Sequence, residues 1–151
     1  MLVSCGKPAD NPAGPPPATG ITQDFTKTEQ NSPFCYVDRV GNVENPFSKG
    51  SVDISSSDQV TVVGWGVDWE NKSPAATVEI AIDGIPYPAR YGGDRLDVAD
   101  HYKVPAYRNS GVEFSFPASL LSKGTHKLTM RVVPTGKRLY YEGPVLLIRI
   151  K

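Results

Sequence analysis

From Phe34 onward, apolar and polar side chains alternate with a period of two, the pattern of extended strands whose successive side chains face opposite sides. In Thr77-Val78-Glu79-Ile80-Ala81-Ile82-Asp83, Val78, Ile80 and Ile82 share one face and Thr77, Glu79, Ala81 and Asp83 the other. Residues 126–133 repeat the pattern, with Leu128, Met130 and Val132 inward and Lys127, Thr129 and Arg131 outward. Val112, Phe114 and Phe116 form a third inward set, and Leu146, Ile148 and Ile150 a fourth. Further strands are expected at 35–40, 60–67 and 138–141, and Pro144 marks a break before the final strand because it cannot donate to a ladder. Turn signals such as Gly41-Asn42, Asn45-Pro46, Asp83-Gly84, Gly92-Gly93 and Lys123-Gly124 separate the runs. The one segment suited to a helical turn is 94–100, where acidic residues and an aliphatic pair follow Gly92-Gly93. About seven strands without a long amphipathic helix predict an all-β, antiparallel β-sandwich of immunoglobulin-like type, with a small closed barrel as the alternative.

The first twenty residues break this rhythm. Pro, Gly, Ala and Asn dominate them, and after Val3 they offer almost no large apolar side chain to offset the entropy of ordering. Residues 6–32 therefore read as a semi-rigid, polyproline-like tether, which sets the expected domains at 1–33 and 34–151. The chain has 151 residues, 14 Pro and 14 Gly, enough for one core and not two. Its 16 Lys and Arg balance 16 Asp and Glu, so no nucleic acid is expected as partner. No apolar run approaches the length of about 18 to 20 residues that a membrane-spanning helix needs.

Ahead of the tether, Leu2-Val3-Ser4-Cys5-Gly6 resembles a bacterial lipoprotein box, in which an aliphatic residue and two tolerant positions precede a lipid-accepting Cys. The resemblance implies lipid attachment at Cys5, with the membrane reached through that anchor only, and localisation to the cell envelope. The charged and apolar stretch that precedes such a box does not stand before Met1, which reads as a late start. A Cys5–Cys35 disulfide is the alternative use of the two cysteines, incompatible with lipid on Cys5.

Within the folded part, Gly64-Trp65-Gly66-Val67-Asp68, Asp83-Gly84, Arg95-Leu96-Asp97-Val98, Gly111-Val112 and Gly124-Thr125-His126 follow one another in an order similar to a β-sandwich accessory domain of bacterial glycosyltransferase-associated and other cell-envelope proteins. In that family the first motif tends to read Gly-Trp-Ala-Val-Asp and the third Arg-Pro-Asp-Val. This sequence departs at Gly66, Leu96 and Val112, and the likeness covers residues 34–150. It implies a non-catalytic module.

The residues also carry readings of their own. Trp65 in a Val-rich run is expected in the core, its flanking glycines relieving crowding around the indole. Asp83-Gly84 reads as a hairpin turn, and Arg95 and Asp97 as ties between a long crossover and the sheets. Asp94, Asp97 and Asp100 recur every three residues beside His101, and Asp83 adds a fourth carboxylate, but the alternate oxygen spacing of a calcium loop is missing. These residues read as a solvated acidic turn, and no cofactor is expected.

With His101 and His126 as its histidines and no Gly-x-Ser-x-Gly elbow, the chain lacks the signatures of nucleophilic catalysis. A small hydrolase is the least favoured reading. Trp69, Tyr87, Tyr91, Tyr102 and Tyr107, interleaved with Asp, Arg and Asn, supply flat rings and polar partners suited to saccharide, or alternatively plug the ends of the sandwich. The expected function is an envelope-anchored, non-catalytic binding module for a saccharide or an envelope protein, with a purely structural spacer as the alternative.

Overall fold

The computed structural model describes residues 18–151. Leu2-Val3-Ser4-Cys5, and with it the expected lipid attachment and disulfide, lies outside the described residues. Within them the chain forms two packed β-sheets and one short helix, the all-β sandwich that the alternation predicted.

In chain order the strands are β1 (Thr26–Lys27), β2 (Cys35–Val40), β3 (Val43–Glu44), β4 (Ser51–Ile54), β5 (Gln59–Asp68), β6 (Ser73–Pro74), β7 (Thr77–Ile82), β8 (Ile85–Pro88) and β9 (Arg90–Gly93). Helix α1 (Leu96–Tyr102) follows, then β10 (Gly111–Pro117), β11 (Gly124–Val133), β12 (Leu139–Glu142) and β13 (Leu146–Ile150). The first sheet runs β9-β10-β5-β2-β3, with β6 on the end of β5. In the second, β11 pairs with β12 and β13 along one edge and with β7 along the other, and β8 pairs with β7. Two parallel pairs, β1 with β12 and β4 with β13, extend this sheet.

All seven anticipated strands form, but the count of about seven was too low. The additional strands have two to four residues each, too few to show a period, and β8 carries Pro86 and Pro88, which weaken its sequence signal.

The core lies between the sheets. Val62, Phe114 and Phe116 of the first face Ile80, Leu128, Met130 and Ile148 of the second, and all of them are buried. Val78, Ile80 and Ile82 point inward as expected. The Asp83-Gly84 turn joins β7 to β8 with both residues at positive φ, 53° and 83°, the geometry of a type I′ hairpin in which Gly is the unstrained choice at the second position.

Two expectations need correction. The first concerns the tether, because residues 20–28 lie against the outer face of the second sheet rather than free of it. Thr22 is buried, and the backbone N–H groups of Ile21 and Thr22 and the Thr22 hydroxyl all donate to the carboxylate of Glu79, at 2.8, 3.0 and 2.6 Å. Strand β1 then pairs with β12, so the fold begins well before Phe34. The second concerns Trp65. It belongs to the buried hydrophobic core, at 8% exposure, and what needs correction is its side of the sheet, which is not the one between the sheets. A Cβ on Gly66 would meet Val132 and Val78 of the second sheet at 3.0 and 3.2 Å, so the even positions of β5 face inward. Trp65 therefore points to the outer face of the first sheet, where α1 covers it.

Candidate functional site

The chain from Arg90 to Ser110 crosses the outer face of the first sheet and positions the residues of interest. Helix α1 has seven residues, too few to persist alone, so its place depends on what it covers. Val98 and Ala99 are buried beneath it, and Tyr102 packs on Trp65 with ring centroids 5.7 Å apart. At the helix start, Arg95 grips both Asp97 oxygens, at 2.9 and 2.8 Å, and sends its third donor across the sheet to Asp38 at 2.6 Å and the carbonyl of Gly64 at 3.2 Å. Arg95 thus ties the crossover to the sheet through an ion pair with Asp38 as well as the Gly64 carbonyl, and Asp97 holds its other two donors.

Between α1 and β2 this arrangement leaves an open cleft of about 480 Å³, lined among others by Tyr36, Asp38, Trp65, Arg95, His101 and Tyr102. Tyr36 stands directly opposite Trp65 in the β2/β5 register, so the two share the outer face. Its ring leans on Phe47 with centroids 5.3 Å apart, and its hydroxyl donates to Asn45. His101 lies exposed on α1, edge-on to Tyr102 at 4.6 Å. On the far side of Arg95 a second cleft, of about 370 Å³, opens over β9, β10 and β5, with Gly64, Gly92, Gly93 and Gly111 among its lining.

The aromatic residues singled out from the sequence divide. Tyr107 is fully buried and Tyr87 lies in the core stacked on Phe114 with centroids 5.9 Å apart, so neither presents a face to a ligand. Tyr87 faces inward from β8, whereas Tyr107 packs against Tyr102 and Trp69 in the layer over the first sheet. Tyr91 accepts from the N–H of Ala75 at 2.8 Å and donates to the carbonyl of Gly66 at 2.7 Å, which makes it a strap from β9 to β5 and the loop at Ala75; burial pushes its phenol up to about 12. Trp69 is half-buried, edge-on to Tyr102 at 5.3 Å, with the ammonium of Lys72 over its ring at 4.1 Å. Of the five, Tyr102 alone lines the cleft beside Trp65.

Tyr36 and Asp38 belong to the site and were missed. The alternation of 35–40 placed Tyr36 on the face opposite Val37, which was the available signal, but nothing local tied that face to residues sixty positions on. Asp38 is displaced toward Arg95 at the irregularity between Val37 and Arg39, and such a bulge has no reliable sequence mark.

Asp94, Asp97 and Asp100 are exposed along the crossover, and Asp83 lies apart from them. Asp83 bonds His126 on the other sheet, Asp94 bonds Arg108 at 3.0 Å, and Asp97 is taken by Arg95. Among the described residues no group of three metal-ligating side chains converges. The hydrogen bonds from Arg95, outweighing partial burial, hold the Asp97 carboxyl below its ordinary range, and Arg95 is held firmly in its charged form by Asp97 and then Asp38. A carboxylate so held is a poor proton donor. Cys35 is equally unsuited to chemistry, since burial pushes its thiol up to about 12. The cleft offers aromatic surface, fixed hydrogen-bonding groups and room, which suits it to holding a ligand.

No protein-family model matches the chain, and no curated protein does. Among solved structures, the X-ray structure of the endo-beta-1,4-mannanase from Thermotoga petrophila superposes with a TM-score of 0.48 at 12% identity, over 78% of this chain and 19% of that one. The chain thus spans about a fifth of the mannanase's length, and a superposition this loose bears on neither its fold type nor its activity.

Proposed function

We propose that the protein is a non-catalytic saccharide-binding module, held at the bacterial cell envelope by lipid on Cys5. The observation that carries the binding role is the cleft beside α1, where the half-buried rings of Tyr36 and Tyr102, the latter backed by the buried Trp65, meet Asp38, Arg95, Asp97 and His101. Flat rings cover the apolar faces of a pyranose, and fixed charged groups bond its hydroxyls without having to be ordered on binding. The carboxylates are already committed to Arg95, so they act as oriented acceptors rather than as acid and base. The sandwich is read as immunoglobulin-like, with β5 and β11 as the long central strands of its sheets. The anchoring half rests on the Leu2-Val3-Ser4-Cys5 box and the proline-rich stretch behind it.

Affinity electrophoresis through gels containing neutral polysaccharides tests the binding role. Wild-type protein is expected to be retarded, Tyr36→Ala and Tyr102→Ala to migrate freely, and Tyr102→Phe to keep its retardation, with thermal melts confirming that each variant folds. No retardation in any gel would favour the structural-spacer reading instead. For the anchor, Cys5→Ser expressed with the native upstream segment should leave the membrane fraction; unchanged partitioning would remove the envelope location.

A further inference from the structure

The two clefts on the outer face of the first sheet are neighbours. Arg95 lines both, reaching Gly64 on the floor of one and Asp38 in the wall of the other. One cleft is walled by aromatic rings, while the other has a floor rich in glycine, with Val63 beside it, between the rims of Arg90 and Glu113. Both are open to solvent, and neither is a blind pocket that would enclose the end of a chain. An elongated ligand can therefore continue past Arg95 from one to the other.

The charges narrow the ligand further. Lining the two clefts are the cations Arg90 and Arg95 and the carboxylates Asp38, Asp94, Asp97 and Glu113. Arg95 is held by Asp38 and Asp97, and Arg90 by Glu113 at 3.3 Å. Asp94 is met from outside by Arg108. Both lining cations already have carboxylate partners, and four carboxylates outnumber the two cations, so a uronate, sulfate or phosphate group would meet a lining of net negative charge. A neutral sugar meets no such opposition.

We infer that the outer face of the first sheet binds an internal stretch of an extended, neutral glycan, with one subsite at the Trp65–Tyr102 cleft and a second over Gly92, Gly93 and Gly111, and Arg95 between them. This rests on the saccharide-binding reading above and specifies the class and length of its ligand. Two subsites occupied by one chain reinforce each other, since filling the first raises the effective concentration at the second.

Isothermal titration of the full chain with neutral β-1,4-linked oligosaccharides of glucose and of N-acetylglucosamine, from disaccharide to hexasaccharide, tests the inference, with oligogalacturonates of equal length as the anionic comparison. Affinity for at least one neutral series is expected to rise about tenfold or more from disaccharide to hexasaccharide, and the oligogalacturonates should bind at least about tenfold more weakly than the matching neutral hexasaccharide. The exposed pair at the second subsite supplies the control: Arg90→Ala with Glu113→Ala should reduce hexasaccharide affinity toward the disaccharide level. A disaccharide that binds as tightly as the hexasaccharide, or an oligogalacturonate that binds better, would overturn the extended neutral site while leaving saccharide binding intact. Absence of binding by every neutral oligosaccharide would remove both.

Discussion

His126 and Asp83, 43 residues apart in the chain, face each other at 2.6 Å at the edge of the second sheet, and the other ring nitrogen of His126 lies 2.7 Å from the carbonyl of Ser122. Both nitrogens thus face acceptors, an arrangement that favours the doubly protonated ring over either neutral tautomer. The Asp83 hydrogen bond raises the His126 pKa above its ordinary value, with Ser122 adding to it and partial burial opposing. The Asp83 carboxyl is pushed up by burial, but the bonds from His126 and the Lys127 N–H outweigh this and lower it.

These shifts set a pH window for stability. The His126 contribution is complete below about pH 6.5, the ordinary histidine value, and is lost as pH rises through the elevated one. That of Asp83 is present above about pH 4 and is lost as pH falls through its depressed value. Asp83 is half-exposed, so solvent screening limits the pair to about 1 kcal/mol, or about 3 to 5 °C in thermal midpoint. Melts between pH 6 and 9 should show this decline in wild type and not in His126→Gln. An equal slope in both would show that the ring is not the titrating group.

The contact between Glu79 and Thr22 should be costly to disturb. Glu79 is 2% exposed and takes all its hydrogen bonds from the segment that covers it, while Arg131, packed between Glu142 and the Tyr140 ring, touches the same Thr22 hydroxyl at 3.3 Å. Thr22→Val keeps the shape and removes the hydroxyl, leaving a buried carboxylate short of one donor, which costs about 1 to 3 kcal/mol. Chemical denaturation should read that loss, and removal of residues 1–28 should also lower the midpoint. A truncated chain within about 2 °C of wild type would mean that the segment adds nothing to the fold.

The strands were legible in the sequence and their coverings were not, for a physical reason visible at Glu79. Its position on the face opposite Val78 and Ile80 follows from alternation, and that assignment held. What buries it is a polar segment with no apolar period, bound through hydrogen bonds across 57 residues, and patterning carries no trace of such a contact. Trp65 illustrates a second limit. Val60, Val62, Val63 and Val67 make both faces of β5 apolar, so alternation fixed burial without choosing a side, and the choice was made by Gly64 and Gly66 lying close under the second sheet. In the candidate site, Tyr102 was found because it sits in an aromatic-rich crossover, whereas Tyr36 joins it only through strand pairing.

Those two glycines should respond differently to a methyl group. A Cβ on Gly64 would fall on the backbone carbonyl of Tyr36, which strand pairing holds in place, whereas one on Gly66 meets the ends of Val132 and Val78 side chains at 3.0 and 3.2 Å. Side chains can yield where backbone cannot, so Gly66→Ala should cost about 1 to 3 kcal/mol and Gly64→Ala more. Parallel urea titrations would decide the order. The reverse ranking would mean that β2 shifts easily against β5.

Trp65 supports α1 more than it supports the sandwich. Its indole is buried under a seven-residue helix, against Tyr102, which in turn contacts Trp69 and the fully buried Tyr107. Removing it opens a cavity on the outer face of the first sheet, at about 3 to 5 kcal/mol by analogy with other large aromatic truncations. A helix this short has no stability of its own, so the loss should fall first on α1 and the crossover. Hydrogen exchange on Trp65→Ala should therefore show amides of α1 exchanging as soon as the sample is diluted, while those of β7 and β11, whose inward residues Ile80, Leu128 and Met130 are untouched, stay protected in proportion to the remaining global stability. Uniform loss of protection across α1, β7 and β11 would instead make Trp65 part of one cooperative core.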